Sequence, residues 1–291
     1  MIATEPMPLD ASSRRSQWLR FVRRNPTMAC GFALLAVMVV VAMGAPYWWT
    51  TDPLELNPIE RLRGPSPTHW FGTDMLGRDV YSRTVYGSRI SLIVGLCVAL
   101  CSLTLGLAVG LFSGYYRHVD AVVMRVMDGM MAIPAILLAI ALMALMSASV
   151  QNVIIALTVP EIPRVVRLVR AVVLSLREQA YVEASIATGA RLPRLLWRHI
   201  MPNTLAPLIV QGTYICASAV IFEAYLSFLG AGTPPEIPSW GNIMAEARAY
   251  VQLAFWIILF PGLCLALTVL AINLVGDGLR DTLDPTLARR M

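Results

Sequence analysis

Three carboxylates fall at or inside apolar stretches of this chain: Asp128, Glu161 and Glu223. An acid held in hydrocarbon is costly, and by default it marks a proton or cation site or a pathway. Asp128 has a blander reading, an ion pair with Arg125 or Arg117. Glu223 would either line a path or hold the loop that follows it. The other reactive residue types form no constellation. His69, His118 and His199 are scattered, and Cys30, Cys97, Cys101, Cys216 and Cys264 all lie in apolar segments without zinc-ligand spacing. All 23 basic residues are Arg, so the chain has no Lys to sit on nucleotide phosphates as in a Walker A loop. The residues point to no catalytic centre, no metal and no bound cofactor.

The elements that position these acids are apolar and long. Of 291 residues, 57% are hydrophobic and 14% charged, against about 25% charged in a soluble domain. Mean hydropathy is +0.65. The expected fold is an all-α integral membrane protein with six transmembrane helices, at 28–48, 90–112, 127–146, 150–172, 204–226 and 253–275. The fourth is weak, because Pro160, Glu161, Pro163, Arg164, Arg167 and Arg170 interrupt it; it must line a cavity or pack on other helices. Pro134, Pro207 and Pro261 should kink the third, fifth and sixth spans. A cleaved signal peptide competes for the first apolar run, but that run is long and Tyr47, Trp48 and Trp49 follow it as an interfacial anchor. With six spans, 17 of the 23 arginines fall on the side of both termini, which places the termini in the cytoplasm. The arginines flank apolar segments rather than clustering with aromatics, so nucleic acid is not an expected partner.

Between the fourth and fifth spans lies the longest polar island, residues 175–203. Ser175 and Glu178 form a capping-box pattern that predicts a helix starting near Leu176. Gly189 suits a left-handed helix stop, Pro193 a second helix start, and Pro202 the end of that second helix. Ala180, Ala184, Ser185, Ala187 and Thr188 are small enough for another backbone to approach, and Glu183 is flanked by Arg177, Arg191, Arg194 and Arg198. This is a shape for docking into another protein; the bland alternative is a solvated loop with ordinary caps. In the loop 50–89, Thr73 or Asp74 would cap a short helix carrying Asp79 and Arg83 as an i,i+4 pair.

Glu183-Ala184, Gly189 six residues on and Pro202 thirteen beyond that resemble the EAA loop of ABC-importer membrane subunits. Ser185 stands where Ala is usual there, and His199 and Met201 replace Ile and Leu. The run RHIMPN ending in Asn203 is similar to the peptide-permease form of the loop. HWFGTDMLGRDVYSR (69–83), AYLSFLGAG after Glu223 and GDGLRDTLDPTLARR (276–290) also resemble oligopeptide and dipeptide permeases of the OppC/DppC type.

The resemblance implies a type I ABC-importer permease fold in a bacterial inner membrane. It implies a cytoplasmic segment 1–27, a first helix with outer loop 28–89, a transmembrane domain 90–278 carrying the coupling loop 175–203, and a tail 279–291. Coupling to ATPases would fall to Glu183, Ala184, Ser185, Gly189, Arg191 and Pro202. Asp128, Glu161 and Glu223 would serve pathway or gating. The implied partners are a homologous second permease, two ABC ATPase subunits that bind ATP and Mg, an extracytoplasmic substrate-binding protein, and the lipid bilayer. The cargo would be di- or oligopeptides. The alternatives are an ion-gradient-driven secondary transporter using the three acids, and a membrane scaffold without transport.

Overall fold

The computed structural model describes residues 25–283. The arginine-rich residues before Asn25 and the end of the 276–290 signature lie outside that range. Apolar runs without water to bond their backbones must close their hydrogen bonds internally, and the described residues are accordingly helical. They form α1 (Pro26–Met43), α2 (Val80–Tyr115), α3 (Arg117–Met131), α4 (Ala135–Ala144), α5 (Val150–Arg177), α6 (Ala180–Ala187), α7 (Leu192–Leu195), α8 (Met201–Phe228), α9 (Trp240–Ala247) and α10 (Trp256–Leu283). Short 3-10 turns connect some of them.

Among the described residues, four helices are long and apolar enough to cross a membrane: α1, α2, α10, and the 37-residue Leu192–Phe228 rod that joins α7 to α8. The third span expected at 127–146 is not one rod. It consists of α3 and α4, which meet at an 87° bend around Pro134. Proline cannot continue the ladder, and the residue before it avoids helical geometry. α5 is a single helix through Pro160 and Pro163, too charged to pass as an apolar span.

The core forms where α2 and α5 lie side by side. Gly106, Gly110 and Gly114 recur every fourth residue and receive Val165, Val169 and Val173 from α5. A Cβ on Gly110 would stand 2.7 Å from the Val169 Cβ. Small residues at this spacing let two backbones approach, which is how helices associate where water supplies no driving force. Val94, Val98, Ile215 and Leu226 extend the same core towards α8. α1 packs along α10, with Gly31 against Leu274 and Gly278 against Met28. A smaller cluster under the 44–79 loop joins Val80, Ile243, Ala247, Ala254 and Ile257.

The 44–79 loop corrects the expected caps. Thr73 and Asp74 cap no helix; Asp79 is the N-cap, accepting from the Ser82 backbone N–H at 2.7 Å, and the helix it opens is α2 itself. Arg83 ignores Asp79. It donates to Asp74 at 2.6 Å and to Glu246 at 2.7 Å, and Arg78 bonds the same two acids. Asp79 instead accepts from His69 and Ser82, which fix it as the cap of α2.

Candidate functional site

The exposed loop between α5 and α8 is built on a few buried residues. Val182 is fully buried and packs in one cluster with Leu195, Leu196 and Ile200. That anchor turns the rest of α6 outward, so Tyr181, Glu183, Ala184 and Ile186 are exposed. Glu183 sits in the first turn of α6, where a carboxylate complements the helix dipole.

Gly189 has φ +82°. Its N–H donates to the Ile186 carbonyl at 2.9 Å, and the Ala190 N–H donates to the Ser185 carbonyl at 3.0 Å. This pair is a Schellman closure, which needs a left-handed residue at its turn. Nothing lies within 4 Å of where a Gly189 Cβ would be, so the backbone angle alone explains the glycine. Arg191 is exposed at the N-cap position of α7, and Pro193 follows in its first turn.

Two expected boundaries are wrong. Ser175 opens no helix: α5 runs unbroken through it to Arg177, and α6 begins at Ala180 after the extended Gln179. Packing overrides the local cap, because Val173 is still seated on Gly114 and Arg177 donates to the Gly114 and Tyr115 carbonyls. Pro202 stops nothing either. It lies in the first turn of α8, directly after a π-helical turn over Leu196–Ile200 that accommodates its missing N–H.

The three membrane acids do not meet. Asp128 pairs with Arg167 of α5, not with Arg125 or Arg117, and Asp120, about two turns earlier on α3, pairs with Arg170. α3 lies against α5, so Arg167 and Arg170, two of the arginines that crowd the fourth span, find acids across the gap. Glu161 is buried; Oε2 accepts from Arg164 at 2.9 Å, while Oε1 has no partner among the described residues. Glu223 is fully buried and accepts from Ser91 at 3.2 Å and Ser227 at 2.9 Å, tying α2 to α8.

Sequence reasoning missed two further features. A groove of about 740 Å³ opens beside the 175–203 loop, lined by Leu168, Pro202, Pro207, Gln211, Tyr214 and Arg280, with Tyr214 donating to Asp277 at 2.6 Å. Asn203, Gln211, Tyr214 and Ser218 recur at helical spacing on α8, a polar stripe legible in the sequence. In the 44–79 loop, His69 sits between Glu60 and Asp79 at 3.0 Å from each. Burial opposes its charged form, but the bonds to Asp79 and Glu60 outweigh that and raise its pKa.

An all-helical bundle with an exposed helix-turn-helix between two long rods is the class this geometry defines. The profile of binding-protein-dependent transport system inner membrane components matches residues 102–289, and the chain belongs to that family. It is 53% identical to the probable peptide ABC transporter permease protein y4tQ of Sinorhizobium fredii, over 94% of this chain and 93% of that one. It is 41% identical to the dipeptide transport system permease protein DppC of Alkalihalophilus pseudofirmus, over 96% and 93% of the two chains. It is 40% identical to the glutathione transport system permease protein GsiD of Pectobacterium atrosepticum, over 99% and 97%. A chain of the inward-facing MetNI methionine ABC transporter shares the fold, with TM-score 0.57 at 22% identity, covering 69% of this chain and 96% of that one. The protein is thus a multi-pass inner-membrane permease subunit without enzymatic activity of its own.

Proposed function

We propose that this permease imports di- or oligopeptides, driven by ATP hydrolysis on two partner ATPase subunits that bind ATP and Mg. A homologous second permease would complete the path, and an extracytoplasmic binding protein would deliver cargo. The observation that carries this reading is the exposed helix Ala180–Ala187, anchored by Val182 and closed by Gly189. Its neighbours in the peptide reading are the relatives named for peptide and dipeptide transport.

In this reading Glu183, Ala184, Ser185, Gly189 and Arg191 form the surface that an ATPase grips, and Pro202 lies within the rod beyond it, in the first turn of α8. α5 extends about 42 Å and the Leu192–Phe228 rod about 55 Å from 28 and 37 residues at 1.5 Å each. A push on α6 is therefore delivered to both rods at once, and close-packed helices move as units rather than deforming. α3 with α4 would make one broken crossing and α5 another, giving six crossings with both termini and loop 175–203 in the cytoplasm. The arginine distribution supports that orientation.

Affinity purification of the subunit from native membranes in mild detergent tests the reading. The expected result is co-elution of one or two ATPases and a second permease. A stable, monodisperse chain on its own would overturn it and favour ion coupling. Against that alternative, Asp128, Glu161 and Glu223 are on three helices and share no partner among the described residues.

A further inference from the structure

α1 and α2 leave a groove of about 530 Å³ on their outward surface, and its walls are apolar except at one end. Val39 and Met43 come from α1; Leu92, Ile93 and Leu96 come from α2, with Arg89 at the head. Arg89 donates from Nε to the Ala42 carbonyl at 2.6 Å and from Nη2 to the Met43 carbonyl at 3.0 Å. Its guanidinium also lies 5.5 Å from the centre of the Tyr86 ring. These neutral partners end α1 cleanly, but they leave the charge unmatched. No carboxylate pairs with Arg89 among the described residues, and Nη1 donates to no protein group there.

The depth of this charge is fixed by its neighbours. Ala42 and Met43 lie about one helical turn before Tyr47, Trp48 and Trp49, which are exposed at 85%, 37% and 81%. Exposed Trp and Tyr at the end of a span mark the headgroup level. From Arg89 the groove descends along Leu92, Ile93 and Leu96, one face of α2 at i+3, i+4 and i+7. That run covers about 10 Å, roughly a third of the ~30 Å hydrocarbon core.

We infer that this groove is a phospholipid site in the leaflet on the side of the 44–79 loop. The phosphodiester seats on the free edge of Arg89, and the upper part of one acyl chain lies between α1 and α2. A phosphate supplies the charge-assisted bond and counter-charge that the carbonyls cannot. The apolar walls exclude a free anion, which would have to shed its water against Val39 and Leu92 without recompense. The lipid would also hold α1 to α2 at the one end where Arg89 already bridges them.

The test is native mass spectrometry of the full chain, reconstituted in vesicles of phosphatidylethanolamine and phosphatidylglycerol and extracted in mild detergent. Wild type should carry a retained phospholipid. Arg89→Gln removes the charge, and Leu96→Trp fills the groove while leaving Arg89 and the end of α1 intact. Both should lower retained lipid about tenfold, the size of one lost charge-assisted or packing contact. Wild-type retention in either folded, monodisperse variant would overturn the site. So would disulfide capture of Ile93→Cys by another polypeptide in the membrane, since a protein would then cover the groove. Neither readout depends on ATPases or on transport.

Discussion

Gly189 separates what a side chain fills from what a backbone angle demands. Its surroundings are open, yet its φ of +82° is one that a β-branched residue adopts only under strain of about 1–3 kcal/mol. Gly189→Val should therefore unravel the end of α6, abolish peptide uptake and leave the membrane-fraction level of the protein unchanged. Gly189→Asn, which tolerates this conformation, should keep most activity. Uptake of a labelled dipeptide, with immunoblots of the membrane fraction, reads both; normal uptake by the Val variant would sink the coupling role. Other side chains find partners outside their own helix. Spacing pairs Arg83 with Asp79 four residues away, whereas its acids are Asp74 and the remote Glu246. Spacing likewise offers Asp128 its local arginines, whereas Arg167 reaches it from α5. Spacing along one helix ranks near neighbours and is silent about the helix next door.

At the scale of elements, the seam between α2 and α5 holds the bundle. Gly106, Gly110 and Gly114 are readable as a four-residue repeat, but nothing in the repeat says which helix they receive. Gly110→Leu should force α2 from α5 and destabilise the protein by about 1–3 kcal/mol, seen as a lower Tm in detergent. Gly129→Ala is the control: no atom lies within 4 Å of its added methyl, and Tm should hold or rise. The same seam explains why α5 overruns Ser175 and why its two prolines do not end it. Long stretches of Val set on glycine outweigh a cap worth about 1 kcal/mol. The 87° break at Pro134 went the other way, because α3 has acids and arginines to satisfy across α5 while α4 is wholly apolar.

Across the whole molecule, the 44–79 loop is tied to α9 by four buried or half-buried charges, Asp74, Arg78, Arg83 and Glu246. Arg83 is fully buried, so Arg83→Met would leave two acids facing Arg78 alone. That loss should cost about 3–5 kcal/mol, open the loop to limited proteolysis and lower Tm. A protease-resistant loop in that variant would show that the apolar cluster around Val80 and Ile243 holds it without the charges.

Composition and periodicity by themselves determined that this is an all-helical membrane protein, where most of its helices lie, and that the polar loop before α8 contains a glycine-closed turn. Those features are local: burial of apolar runs in lipid, a φ that only glycine takes freely, a proline at a helix start. Family resemblance was equally legible, since it rests on short contiguous motifs. Only the tertiary structure decided which acids meet which arginines, that α5 continues past its apparent cap, and that Arg89 heads a groove between α1 and α2. Each of these depends on contact between elements far apart in the chain. There the balance of packing and charge across helices, rather than the preference of any one segment, sets the outcome.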